Sequence, residues 1–171
     1  MGTAGAVSTR APRQGPLAAF GVPSHMCLVV PDRERAIAEM APVFGEFVRT
    51  VPRAGGTHII SAAGRQTVRL SVAWTLSGPV HLELIESLPG TVWEPRAAGY
   101  LHHFGFQVED LARASDELVA AGMTIEVTRW QESGRPLGFA YQALPGGLRI
   151  ELSEGGPPDN LQALWEEQSR T

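Results

Sequence analysis

In the stretch His25 to Val30, "HMCLVV", the even positions Met26, Leu28 and Val30 are all apolar, as are Phe104, Phe106 and Val108 in "HFGFQV" from His103. A period of two places such residues on one face of a strand. Each stretch is therefore expected to be a strand with one face packed beneath a helix. A helical pattern follows both. After the first, Asp32 can cap a short helix that ends by Gly45 and has Ile37, Met40 and Phe44 on one side, with Pro42 able to end its regular part early. After the second, Leu111, Ala114 and Leu118 form the apolar stripe and Gly122 can terminate the helix. Three candidate strands come next in each case: "FVRTV", "QTVRLSVAW" and "VHLELIES", then "TIEVTRW", "LGFAYQAL" and "LRIELSE". Gly55-Gly56 and Ser77-Gly78-Pro79 punctuate the first set as turns.

The order strand, helix, three strands thus occurs twice. Setting His25 on His103 aligns "HMCLVVPD" with "HFGFQVED", and the closing "LELIES" and "IELSE" align through Glu83 and Glu151. Internal repeats of this kind govern how single residues are read. The expected organisation is a flexible arm over 1–22, a domain over 23–154 built from modules 23–88 and 99–154, and a tail over 155–171 with a short helix starting at Asp159 or Asn160.

The repeat brings four residues forward. If Met26 and Leu28 face the helix, His25 faces away from it, and His103 does the same in the second module. Leu82 with Leu84, and Ile150 with Leu152, likewise leave Glu83 and Glu151 on the face that the helices do not cover. Two neutral imidazoles and two carboxylates balance a divalent cation and suit Fe, Mn, Co, Ni or Zn. Such a cation polarises a carbonyl or stabilises an oxyanion, and Glu83 or Glu151 can move a proton. Of the adjacent pair His102-His103, only His103 repeats His25, and alternation sends His102 to the opposite side with Phe104 and Phe106. Read as one strand, "QTVRLSVAW" puts Arg69 and Ser71 opposite Val68, Leu70, Val72 and Trp74, where they can line the cavity and Arg69 can bind an anionic oxygen of a substrate. Gln107 shares the face of His103 and can orient a ligand. Trp93, Tyr100, Phe139 and Tyr141 are candidate walls of an apolar pocket. His81 shares the face of Glu83, and His58, in a Gly-rich segment, is expected to be exposed.

Composition narrows the chemistry. The formal charge of -4 and the lack of an Arg cluster argue against nucleic acid as partner, leaving small molecules. All 14 basic residues are Arg, so Schiff-base and lysine general-base mechanisms are excluded. The one cysteine, Cys27, rules out an internal disulfide and a multi-Cys zinc site, and reads as a small buried apolar residue. No apolar run approaches the ~20 residues that span a bilayer, and the first 23 residues lack a secretion signal's apolar core, so a cytoplasmic location without membrane partners is expected.

The "H-x-x-x-x-V-x-D" starts, "VHLELIES" followed by "GYLHHFGFQVEDL", and the closing "LRIELSE" resemble the vicinal oxygen chelate superfamily over residues 24–154, in particular its glyoxalase and methylmalonyl-CoA epimerase branch. The resemblance implies an α+β fold: two tandem βαβββ modules forming a cupped, mostly antiparallel sheet around a metal site, with His25, Glu83, His103 and Glu151 as ligands. It also implies that two chains can meet as a homodimer, and leaves open whether the four ligands come from one chain or two. The epimerase itself would bring a further carboxylate after the first helix, and residues 48–68 hold neither Asp nor Glu. Three functions follow in order: a metal-dependent enzyme that transfers a proton next to a carbonyl (isomerase, epimerase, lyase or natural-product tailoring), a small-molecule binding or antibiotic-resistance protein that sequesters its ligand, and an iron-dependent dioxygenase.

Overall fold

A computed structural model describes residues 14–94, 100–157 and 160–170. Within them, ten strands form one curled sheet. The first module supplies β1 (His25–Val30), α1 (Arg33–Phe44), β2 (Phe47–Arg49), β3 (Thr57–Ser61), β4 (Gly64–Val68), β5 (Val72–Thr75) and β6 (His81–Glu86). The second supplies β7 (Tyr100–Gln107), α2 (Leu111–Ala120), β8 (Thr124–Arg129), β9 (Phe139–Ala143) and β10 (Arg149–Ser153), and α3 (Leu161–Gln168) closes the chain. The spatial order is β2-β5-β6-β1-β7-β10-β9-β8-β3-β4.

That order contains the repeat. β2-β5-β6-β1 mirrors β8-β9-β10-β7, each set ending in a parallel pair, β6 with β1 and β10 with β7, and the two sets meet where β1 runs antiparallel to β7. Both helices start as their sequences require. Asp32 and Asp110 accept hydrogen bonds from the backbone N–H of Arg35 and Arg113, each satisfying a donor that the first helical turn leaves free. Pro42 sits within α1 without shortening it, and the helix runs on to Phe44.

The alternation holds where it matters for packing. Met26, Leu28, Leu82 and Leu84 lie beneath Ala36 and Ile37 of α1, and Phe106, Ile150 and Leu152 lie beneath Leu111, Ala114 and Leu118 of α2. The concave face is packed as well: Cys27, Val29 and Ile85 meet Val127 and Tyr141 from the other module, together with Trp93 from the connecting loop.

Three expectations need correction. "QTVRLSVAW" is not one strand, because Arg69 to Ser71 break it into β4 and β5. The Gly-rich segment around His58 holds a further strand, β3, which pairs with β4 and then with β8 at the edge of the second module. Gly56 closes the turn from Arg53 that leads into β3: its φ is +82°, and an added Cβ would stand 2.8 Å from the Val68 carbonyl. The β3-β4 hairpin thereby swings across the cup and buries Ile59 and Val68 in its interior. The arm also joins the fold in part, since Pro16–Ala19 form a 3₁₀ turn and Leu17 and Phe20 pack against the α2 core. Residues 1–13 of that arm lie outside the described residues.

The tail is likewise part of the structure. Leu161, Leu164 and Trp165 of α3 pack against Val48 and Trp74 of the first half-sheet. Gln168 accepts from the Arg49 N–H and donates to the Arg49 carbonyl, so its amide takes the place of a neighbouring strand along the edge of β2.

Replacing Leu118, buried at the centre of the α2 core, by Ala is expected to cost about 2–5 kcal/mol in urea denaturation. A smaller effect is expected at Glu34, which bridges α1 to β2 through Arg49 at 2.6 Å. The Arg49 hydrogen bond, with help from Arg33, holds the Glu34 carboxyl at about 2. A depressed carboxylate stabilises the fold above its unfolded value and loses that effect as pH falls through the folded one. The pair is half exposed, so Glu34→Gln should cost less than about 1 kcal/mol at pH 7, with wild type and variant converging near pH 2.

Candidate metal centre

The pairing of β1 with its neighbours builds the site row by row. One row across the concave face reads Glu83, Cys27, His103, and the next reads His81, His25, Gly105, Glu151, Tyr141. The positions between ligands hold the smallest side chains, Cys27 in one row and Gly105 in the other. The His25 ring lies directly over Gly105, where an added Cβ would fall 1.8 Å from its Cε1. A glycine in a strand interior marks such close approach.

The four predicted residues converge, and all come from one chain. His25 Nε2 is 2.8 Å from Glu151 Oε2 and 3.1 Å from His103 Nε2, and His103 Nε2 is 3.0 Å from Glu151 Oε2 and 3.4 Å from Glu83 Oε2. One ligand atom from each lies within 4.8 Å of the others. His25, His103 and Glu83 are 2%, 1% and 6% exposed, so water screens little of the charge gathered here.

Glu83 Oε2 is buried and makes no hydrogen bond. His103 Nε2 at 3.4 Å and His25 Nε2 at 3.8 Å stand within ion-pair reach of it but not at good hydrogen-bonding distance, so this oxygen faces the centre of the cluster unbonded. The electrostatics point the same way. Burial opposes charge on His103 and on Glu151, but their mutual attraction outweighs it, raising the imidazole above its ordinary value and lowering the carboxyl below its own. The cluster therefore attracts positive charge strongly enough to overcome desolvation, and its donor set fits a divalent cation.

The neighbouring side chains are arranged around this centre. Trp74 stands edge-on to His25 with centroids 4.9 Å apart, and Tyr141 lies at 4.7 Å against His103. Trp93 donates from Nε1 to the Tyr141 hydroxyl at 3.3 Å, and both aromatics are buried, forming the floor beneath the ligands. Burial, then Glu151 and Glu83, push the Tyr141 phenol well above its ordinary value, and burial does the same for the Cys27 thiol, which stays protonated. Cys27, His102 and His103 also bring three ligand atoms within 4.8 Å, but there the thiol stays protonated and both His102 nitrogens are engaged, by His103 and by the Val92 carbonyl.

His102 departs from the expected side. Between Cys27 and Leu28 the register of β1 on β7 shifts, so that His103 opposes Cys27 and Leu101 opposes Leu28, with His102 as the extra residue. Such a bulge re-aims a side chain. His102 turns inward, away from Phe104 and Phe106, and lies 5.4 Å from Tyr141 and 5.1 Å from His103.

The remaining candidates are spread more widely. Arg69 is exposed at the bend between β4 and β5, and Ser71 Oγ reaches Glu86 at 3.5 Å, so neither joins the cluster. Their assignment to the cavity face took Val68, Leu70, Val72 and Trp74 for the helix-covered face, whereas those apolar residues are the ones that turn inward. Gln107 is exposed with its amide packed over Gly156. Together with Ser24, Leu76, Pro79, His81, Pro157, Leu161 and Gln162 it lines a cleft of about 400 Å³ beside His25. His81 donates from Nδ1 to the Thr75 carbonyl at 2.8 Å. His58 is exposed, as expected, but within β3. Phe139 packs against Tyr141, and Tyr100 is exposed. Trp74, Ser24 and Gly105 were not singled out from sequence, although the glycine two positions after His103 in "HHFG" was a legible sign of crowding.

The repeated cupped module has counterparts among known proteins. The family model described as "Glyoxalase/Bleomycin resistance protein/Dioxygenase superfamily" matches residues 24–141. The chain belongs to that superfamily. No curated protein matches it. Among solved structures it is similar to a mutant of 4-hydroxymandelate synthase from Streptomyces coelicolor, at 23% identity and TM-score 0.51, over 81% of this chain and 40% of the synthase. It is also similar to Streptomyces coelicolor methylmalonyl-CoA epimerase in complex with 2-nitronate-propionyl-CoA, at 17% identity and TM-score 0.50, over 77% of this chain and 92% of the epimerase. A hypothetical protein from Bacillus halodurans matches at 14% identity and TM-score 0.51, over 79% and 94%. At these identities the likeness concerns the fold. The chain spans well under half of the synthase. Among the described residues, no helix is long and apolar enough to cross a membrane.

Gly105→Ala tests the crowding at this centre. The new methyl must displace the His25 ring, and a loss of about 1–3 kcal/mol in urea denaturation is expected, larger than for Ala at the open Gly146.

Proposed function

We propose that the chain is a metal-dependent enzyme that transfers a proton next to a carbonyl of a small molecule, as an isomerase, epimerase, lyase or natural-product tailoring enzyme. The observation that carries this reading is Glu83 Oε2, a buried carboxylate oxygen without a hydrogen-bond partner, facing two imidazoles and a second carboxylate. His25, Glu83, His103 and Glu151 would hold one divalent cation, with Fe, Mn, Co, Ni and Zn all suited to the set. Bound there, the cation supplies Lewis acidity to a substrate oxygen and offsets the negative charge that develops on it.

The chain's own groups do the rest. Glu83 or Glu151 takes the proton from the carbon beside the carbonyl and returns it to the same or a neighbouring atom, so no net charge is left on the protein. Trp93 and Tyr141 keep the floor dry, which strengthens every charge interaction above them. The cleft lined by Ser24, His81 and Gln107 is the proposed approach for substrate, and Gln107 the proposed contact that orients it. Arg69 and Ser71 have no part in this reading. A pure sequestering role gains nothing from four metal-ligating side chains gathered at one point.

Elemental analysis after metal loading and dialysis tests the reading. About one divalent cation per chain is expected in wild type and none in His103→Ala, with Glu83→Gln binding at least tenfold more weakly. Equal metal content in wild type and His103→Ala would overturn it.

A further inference from the structure

We propose that the residue preceding each histidine ligand, Ser24 before His25 and His102 before His103, sets that ligand's tautomer, so that both imidazoles turn a bare Nε2 toward the centre. The inference rests on the metal reading above and adds two positioning residues to it.

The second module gives the clearer case. His102 Nε2 lies 2.8 Å from the Val92 carbonyl, which can only accept, so Nε2 carries the proton. A neutral imidazole has one N–H, which leaves His102 Nδ1 as an acceptor. His103 Nδ1 lies 2.8 Å from it and must be the donor. With one proton held on Nδ1, His103 can give up any second proton only from Nε2, the atom that faces Glu83, Glu151 and His25, so a cation entering the centre meets the Nε2 lone pair. The opposite tautomer would leave two facing lone pairs between the histidines and an N–H where the ligand lone pair is needed.

The first module reaches the same result with a hydroxyl. Ser24 Oγ donates to the Gly105 carbonyl at 3.2 Å and lies 3.0 Å from His25 Nδ1. Its one proton is spent on the carbonyl, so it accepts from the His25 Nδ1–H and leaves Nε2 bare. Each chain of hydrogen bonds ends on a backbone carbonyl, a fixed acceptor that cannot reverse the direction. The 78 positions that separate His25 from His103 also separate Ser24 from His102. Ser24 reaches its ring directly, whereas His102 reaches its own only because the β7 bulge turns it inward. Partners of this kind orient a ligand imidazole and raise its basicity.

Nitrogen-15 NMR of histidine-labelled protein reads the tautomers directly. In the zinc-loaded protein, His102 should be protonated on Nε2 alone, and His25 and His103 on Nδ1 alone. A proton on His102 Nδ1, or a bare His103 Nδ1, would overturn the proposal. The metal-free protein separates the two ideas: His102 should show the same pattern there, so failure to take up zinc counts against the metal site while His102 still answers for its own role. Variants add a second readout, zinc affinity by chelator competition. His102→Asn keeps an acceptor near His103 Nδ1 and should bind within a few-fold of wild type, whereas His102→Leu should bind about 10–100-fold more weakly. Equal affinity in both would contradict the proposal. If His102→Leu does not fold, Ser24→Ala against Ser24→Thr makes the same comparison in the other module, with Ala about tenfold weaker and Thr near wild type.

Discussion

The antiparallel pairing of β1 with β7 joins the two modules, and the site depends on its register. It sets His25 beside Gly105 and Cys27 beside His103, and the parallel partners β6 and β10 then deliver Glu83 and Glu151 to the flanking positions. A slip of one residue would send every one of these side chains to the helix-covered face. The two helices oppose such a slip, because it would also lift Leu82, Leu84, Ile150 and Leu152 out of their apolar cores. Packing on the convex face therefore fixes the geometry on the concave one.

That geometry concentrates four ionisable groups in a nearly dry space, which is unfavourable unless their charges balance. Two carboxylates facing two imidazoles achieve part of the balance, and the partnerless Glu83 oxygen marks what is left. The aromatics below and the bare positions at Cys27 and Gly105 let the rings approach one another. α3 then covers Val48 and Trp74, and the β3-β4 hairpin packs Ile59 and Val68 against the concave face.

The parts legible in sequence were those where period two survived intact. In β1, β6, β10 and the part of β7 from His103 onward the helix-side positions alternate, and the four ligands followed from counting faces across the repeat. Counting failed where the backbone adds a residue or both faces are apolar. The bulge in β7 reversed His102, whereas Arg69 and Ser71 were misplaced because the concave face is itself apolar and takes Val68, Leu70, Val72 and Trp74. β3 was hidden because its Gly-rich approach and single buried position, Ile59, give no alternating apolar signal, and its second partner is β8 of the far module. The docking of α3 depends on Val48 and Trp74 facing inward, and the pattern of the tail alone does not carry that information.

The central claim is that two imidazole nitrogens and two carboxylate oxygens, repeat-related and from one chain, surround a single cation. X-ray absorption at the metal edge of the loaded protein tests it most directly. Only nitrogen and oxygen scatterers are predicted around the metal, with the multiple-scattering signature of two imidazoles. A sulfur scatterer, which would bring in Cys27, or a shell without imidazole would contradict the account.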